Sequence, residues 1–169
     1  MSPNEFAFKI EFSKRPEEFI PTAQTDRIIT DVWGATLKAS AKMVRIGVLE
    51  TAPHVTGIMR GSIKESPVVR VRDGFEVVVT SPIPYTSYVE FGTKPHWMPI
   101  EPLRLWAQRK FGVDKGLAYG IAKKVQKRIA TRGTNGKFMF RDAYARLRSS
   151  VENNFNTAAD LIIERIKKL

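Results

Sequence analysis

The chain has no cysteine in 169 residues. Disulfides and thiolate metal sites are therefore excluded, and an intracellular, reducing origin fits. Histidine is nearly as scarce. His54 and His96 are the two present, and neither stands at the HxxxH or HExxH spacing of a metal pair. His54 lies in a Pro-flanked turn and His96 between Pro95 and Trp97, so each reads as a structural or solvent-exposed side chain. No GxSxG, Walker A or GxGxxG sequence occurs, which removes the main nucleophile and phosphate-cradle signatures. The acids Glu50, Glu65, Asp73, Glu76, Glu90 and Glu101 are scattered, whereas a metal-dependent nuclease needs carboxylates in a cluster. No apolar run approaches the ~20 residues of a membrane span. The opening MSPNEFAFKIEF carries acids and no long apolar stretch, so no signal peptide is expected. These absences predict a soluble protein made in the cytoplasm, with no catalytic, metal or cofactor-binding residue.

Positive charge is abundant. Twenty-eight Lys and Arg against 17 Asp and Glu give a formal net charge of +11. Such an excess implies acidic partners: nucleic acid, an anionic surface or acidic protein neighbours. It is concentrated in one third of the chain. Between Pro102 and Arg148 stand Arg104, Arg109, Lys110, Lys115, Lys123, Lys124, Lys127, Arg128, Arg132, Lys137, Arg141, Arg146 and Arg148, opposed by Asp114 and Asp142. Lys123, Lys124, Lys127 and Arg128 fall at helical offsets that form one polar ridge. Contact of this ridge, with Arg132, to a phosphate backbone is one reading. A solvated helix face and docking to an acidic protein ring are the others. No RNP signature, zinc finger or clear helix-turn-helix is present to read bases.

The hydropathy pattern predicts an α+β protein: a small, mostly antiparallel sheet packed against long helices in one domain spanning residues 1–169. Phe6, Phe8, Ile10 and Phe12 fall on one face and Glu5, Lys9 and Glu11 on the other, with Ala7 breaking the polar set, which predicts a half-buried strand over Glu5–Phe12. Pro16 and Pro21 then mark a connection. Ile29, Trp33, Leu37, Ser40, Val44 and Val48 keep a 3.6-residue period and predict a helix over Thr25–Thr51, capped by Thr25 or Asp26 and ended by Pro53. Gly34 and Gly47 within it weaken the helix or let it pack closely on a sheet. The runs Pro67–Arg72 and Phe75–Thr80 flank Asp73-Gly74, a hairpin signal, and Pro82 and Pro84 end the second strand. Helices are expected over Leu103–Phe111, with Leu103 and Trp106 inward, and over Lys115–Arg132, with Leu117, Ile121, Val125 and Ile129 as the apolar stripe. Gly133 and Gly136 make a loop, and a closing helix is expected over Arg141–Leu169, with Lys167 and Lys168 suiting its dipole.

Two segments stand out: TGIMRGSI (Thr56 to Ile63) and YTSYVEFGT (Tyr85 to Thr93). Gly57 and Gly61 leave room for close backbone approach or positive φ. Arg60 offers a planar fork for a carboxylate. Tyr85, Tyr88, Phe91 and Trp97 crowd together, and aromatics with arginine are common interface anchors, although core packing would use them equally well. Glu90, between Tyr88, Val89 and Phe91, reads as a partly buried structural carboxylate that anchors a turn, with Arg60 or Arg70 as partner.

Together, TGIMRGSI, the hairpin, PYTSYVEFGT, KPHWMPIEPLRLWA and IAKKVQKRIATRGTNGKFMFRDA resemble the tail-component, or tail-completion, family of long-tailed bacteriophages, the neck and head–tail joining proteins of siphophage type. The resemblance spans roughly Thr22 to Leu147. It implies a non-enzymatic virion protein at the head–tail junction, assembled in the host cytoplasm, that closes with copies of itself into a ring, sixfold to match the tail tube. The implied partners are the connector or stopper and the tail terminator or tail tube, with non-specific contact to DNA in the channel and none to membrane. The motif residues implied at subunit interfaces are Thr56, Gly57, Arg60, Ser62, Tyr85, Tyr88, Glu90, Phe91, Gly92, Thr93 and Trp97. A stand-alone nucleic-acid-binding protein and a minor tail protein elsewhere in the tail are the alternatives.

Overall fold

The computed structural model describes residues 6–12, 22–54, 57–72 and 74–169, the first of these by backbone alone. In chain order the elements are β1 (Phe6–Phe12), α1 (Ala23–Thr51), α2 (Ile58–Ser62), β2 (Lys64–Glu65), β3 (Val69–Val71), β4 (Gly74–Ser81), α3 (Thr86–Phe91), β5 (Gly92–Thr93), α4 (Ile100–Phe111), α5 (Lys115–Arg132), β6 (Thr134–Asn135) and α6 (Met139–Ile166). This is the expected α+β class, and every strand pairing is antiparallel.

β4 is the centre of the main sheet. Along one side it pairs with all of β1, from Phe6 opposite Ser81 to Phe12 opposite Phe75. Along the other it takes β2 and then β3. Its alternate residues Phe75, Val77, Val79 and Ser81 are buried, as period-two geometry requires of a strand with one covered face. The apolar positions of β1 stand in register with those buried residues, so the two alternations agree. Val71 pairs with Gly74, which leaves a two-residue connection at the expected hairpin.

The cover is α1, with α6 packed beside it. Val32, Trp33, Leu37, Ala41, Val44 and Val48 of α1 and Met139, Phe140, Ala143, Val151, Ala158 and Ile162 of α6 share one core with β4. Burying a large apolar side chain of this kind contributes about 1.5–3 kcal/mol, so this stripe dominates the stability of the body. Trp33 and Phe155 stack across it at 5.6 Å between ring centres.

Several local expectations need correction. The cap of α1 is Thr22, whose hydroxyl accepts the Thr25 N–H at 3.2 Å; neither Thr25 nor Asp26 caps it. The helix starts two residues earlier than expected, at Ala23, because the capping hydroxyl must precede the N–H it satisfies. Gly47 faces Leu147 of α6 and not the sheet, and Gly34 faces open space. α4 begins at Ile100, since proline is tolerated in a first helical turn, and Trp106 is half-buried. On α5 the buried line is Ala118, Ala122, Gln126 and Ile129, so the stripe lies one residue round from the expected one and Leu117 is exposed. α6 starts two residues early, at Met139, and Lys167 and Lys168 follow its end. Gly61 has neither positive φ nor a close neighbour, whereas Gly57 does adopt φ 73°. Glu5, Pro16, Pro21, Thr56 and Asp73 lie outside the described residues.

Candidate interaction surface

Two networks lock the sequence motifs into the body. The first is a line of hydroxyls. Ser62 Oγ donates to the Met59 carbonyl at 2.6 Å and lies 2.7 Å from Ser81 Oγ, which lies 2.8 Å from Thr86 Oγ1. Each hydroxyl has one proton. Since that of Ser62 goes to Met59, Ser81 must donate to Ser62 and Thr86 to Ser81. Ser81 and Thr86 are buried, so this directed chain ties α2, the end of β4 and α3 together without an unsatisfied group.

The second network centres on Glu90, which is fully buried. Its two carboxylate oxygens accept the N–H groups of Phe140 and Arg141, each at 3.1 Å. These are the second and third residues of α6, whose own cap position is Phe138, a side chain with no oxygen. Glu90 therefore supplies the cap from α3, and its negative charge faces the positive end of the α6 dipole. The expected partners Arg60 and Arg70 are not used: Arg70 makes a two-pronged pair with Asp26, both bonds 3.0 Å, and no carboxylate among the described residues pairs with Arg60. Burial favours the backbone amides because they arrive with the helix and need no second desolvated charge.

Backbone packing fixes the same corner. The Lys137 N–H donates to the Val89 carbonyl and the Phe138 N–H to that of Glu90. β5 and β6 pair directly, Gly92 opposite Asn135 and Thr93 opposite Thr134, with the two threonine hydroxyls 3.0 Å apart. A Cβ at Gly92 would overlap the Thr134 carbonyl, one at Gly133 the Thr93 carbonyl, and one at Gly136 the Glu90 carbonyl. The FGT and RGTNGKF segments thus interleave as one unit. Phe138 takes a left-handed φ of 49° there, and the Arg141 guanidinium stacks on its ring at 3.8 Å.

Between β5 and β6 the chain forms a helical hairpin, α4–α5. Gly112, at φ 64°, ends α4, and Asp114 caps α5 by accepting the N–H groups of Gly116 and Leu117. Those two N–H groups hold the Asp114 carboxyl below its usual range. The hairpin has its own small core of Leu103, Ala122 and Ile129 with Met98, Ile100 and Val125. Arg104, counted above with the surface charge, is buried and hydrogen-bonded to Glu101 and Gln108. Its hydrogen bonds hold Glu101 below the usual carboxylate range and raise its own pKa.

Pairing redistributes the basic third. Arg104, Arg141, Arg146 and Arg148 bond to Glu101, Asp142, Glu50 and Glu152. Among the described residues no ion pair is made by Arg109, Lys110, Lys123, Lys124, Lys127, Arg128, Arg132 or Lys137, all exposed. Seven of these eight sit on α4–α5 and the eighth just beyond β6. Tyr85, Tyr88, Phe91 and Trp97, at 42, 60, 59 and 73% exposure, stand outside the core, so they are available to a partner. Of the other motif residues, Ser62 and Glu90 are spent in the two networks, Gly57 and Arg60 lie on or before α2, and Gly92 and Thr93 form β5. The sequence motifs missed Arg104, Gly133 and Gly136 as positions of consequence; the RGTNG spacing was the available signal for the glycines.

No group of three or more metal-ligating side chains occurs among the described residues. No helix there is long and apolar enough to cross a membrane. The expectation of a phage tail component meets a direct comparison: residues 22–92, from the cap of α1 to the first residue of β5, match the family described as "Bacteriophage HK97-gp10, putative tail-component". No curated protein and no solved structure gives a match. The matched segment contains α1, the hairpin, the hydroxyl chain and Glu90, and over it the chain is similar to that family of phage tail components.

Proposed function

We propose that the protein is a virion structural subunit that closes with copies of itself into a ring at the head–tail junction and joins the tail to the connector. The observation that carries this reading is the density of exposed basic side chains on one helical hairpin: Arg109, Lys110, Lys123, Lys124, Lys127, Arg128 and Arg132 of α4–α5 make no ion pair among the described residues, and exposed aromatics stand beside them. A ring subunit needs one face for neighbours and one for an acidic channel content or an acidic adjoining ring. The ridge of Lys123, Lys124 and Lys127 takes that second role, towards DNA or an acidic protein surface. Imaging of the intact particle with this chain resolved or tagged is the test. Ring density at the junction supports the proposal; density elsewhere in the tail makes it a minor tail protein, and absence from the particle overturns the virion role.

A further inference from the structure

We infer that the cleft between α3 and the α4–α5 hairpin is a docking groove for an acidic protein segment that carries a large apolar side chain. The cleft has a volume of about 950 Å³. That is enough for several side chains, near the upper end of ordinary binding pockets. Its base is apolar, with Val89 from α3, Met98 before α4, Trp106 from α4, and Val125 and Ile129 from α5, while Tyr85 and Tyr88 line its α3 side. Its rim is cationic: Lys110, Arg128, Arg132 and Lys137. No carboxylate lines it among the described residues.

Charge complementarity selects the occupant. Four rim cations without an ion pair call for carboxylates or phosphates. The floor then separates these two. A phosphate backbone needs a row of cations and no aliphatic floor. A single strand of nucleic acid needs open ring faces for stacking. Tyr85 and Tyr88 offer rings only at the exposed edge, at 42 and 60% exposure; at the base Trp106 is covered by Lys110 at 5.0 Å and met edge-on by Phe111 at 5.7 Å, and its neighbours Val89, Met98, Val125 and Ile129 have no ring. Branched aliphatic side chains and a thioether receive an aliphatic or aromatic side chain, which only a protein segment brings with flanking carboxylates.

The helix period supports a division of labour on α5. Arg128 and Arg132 are four residues apart and line the groove, as do Val125 and Ile129, themselves four apart. Lys123 and Lys127 form a separate column outside it, and the Lys123 ammonium sits 4.9 Å from the Tyr119 ring. The basic ridge is thus two surfaces, one flat and one concave.

The inference rests on the reading of this face as an assembly surface, and it is tested on the isolated full chain so that it fails separately from the location in the particle. A library of short random peptides is selected on the immobilised protein, and recovered peptides are measured by fluorescence polarisation. The expected result is enrichment of Phe, Trp or Leu flanked by Asp or Glu. Binding should weaken about tenfold or more in Arg128→Glu/Arg132→Glu and stay essentially unchanged in Lys123→Glu/Lys127→Glu. Both variants change exposed side chains, and circular dichroism checks their fold. No enrichment, enrichment without acidic residues, or binding indifferent to the groove reversal overturns the inference. So does salt-steep binding of a labelled oligothymidine that the groove reversal alone abolishes, which would make the cleft a nucleic-acid site.

Discussion

Glu90 and Phe140, fifty positions apart in sequence, are joined by a 3.1 Å hydrogen bond from the Phe140 N–H to the Glu90 carboxylate. A buried side chain of α3 thereby begins a helix that belongs to the far end of the chain.

Glu90→Ala strands two N–H groups at the start of α6 in a buried setting. The cost expected is about 2–6 kcal/mol, from one to three for each unsatisfied donor. Glu90→Gln retains one acceptor oxygen and loses less. Urea unfolding of the three proteins measures this, and a shift below about 0.5 kcal/mol in the alanine variant would show that the cap is dispensable.

Glycine substitutions should divide sharply by position. Gly92→Ala and Gly136→Ala drive a Cβ into backbone carbonyls of the opposing segment, and Gly92 adds a φ of 81°. The left-handed conformation alone costs about 1–2 kcal/mol. With the overlap, β5–β6 pairing should break and the melting temperature fall. Gly34→Ala, inside α1 with open space before it, should raise stability by about 0.5–1 kcal/mol. Equal effects at Gly92 and Gly34 would contradict the interleaved arrangement.

Acid should loosen α5 from its N-terminal end. The folded Asp114 carboxyl is depressed by the N–H groups of Leu117 and Gly116. A depressed carboxyl contributes stability that is present above the unfolded pKa, near ~3.9, and is lost as pH falls through the lower folded value. The hydrogen-exchange protection factor of the Gly116 and Leu117 amides at the first turn of α5, the exchange rate corrected for its intrinsic pH dependence, should therefore fall on acidification. Asp114→Asn keeps a capping oxygen and should flatten that dependence; an unchanged pH profile in the variant would assign the effect to another group.

Neutralising Lys123, Lys124, Lys127 and Arg128 to glutamine should impair virion assembly or retention of packaged DNA. If the ridge touches phosphate, DNA affinity of the isolated protein should lose roughly 0.9 of log–log salt slope for each contact removed. Normal particles that retain their DNA would remove the channel or acidic-ring role from this ridge.

Periodicity made the long elements legible. α1, the β3–β4 hairpin, α5 and α6 were all visible because each repeats its apolar spacing over several turns or strand positions. On α5 the reading slipped by one residue because the hairpin closes on Ala118 and Ala122, whose small side chains carry little hydrophobic weight, while the heavier Leu117 points to solvent. α2 and α3, at five and six residues, are too short to display a helical period. Arg104 was legible as a neighbour of Glu101 but not as buried, since burial of a charge depends on what packs over it. The partner of Glu90 was hidden for a different reason. Backbone amides have no sequence signature, so a carboxylate that caps a distant helix resembles one in search of an arginine.

The remote cap also orders events on the ribosome. Glu90 is synthesised about fifty residues before the amides it will receive. At roughly 5–20 residues per second, its carboxylate waits on the order of 3–10 s for them. Through that interval α3 can fold against β4 by its hydroxyl chain but keeps a charge that opposes full burial. Closure of the body is thus withheld until the start of α6 has been made.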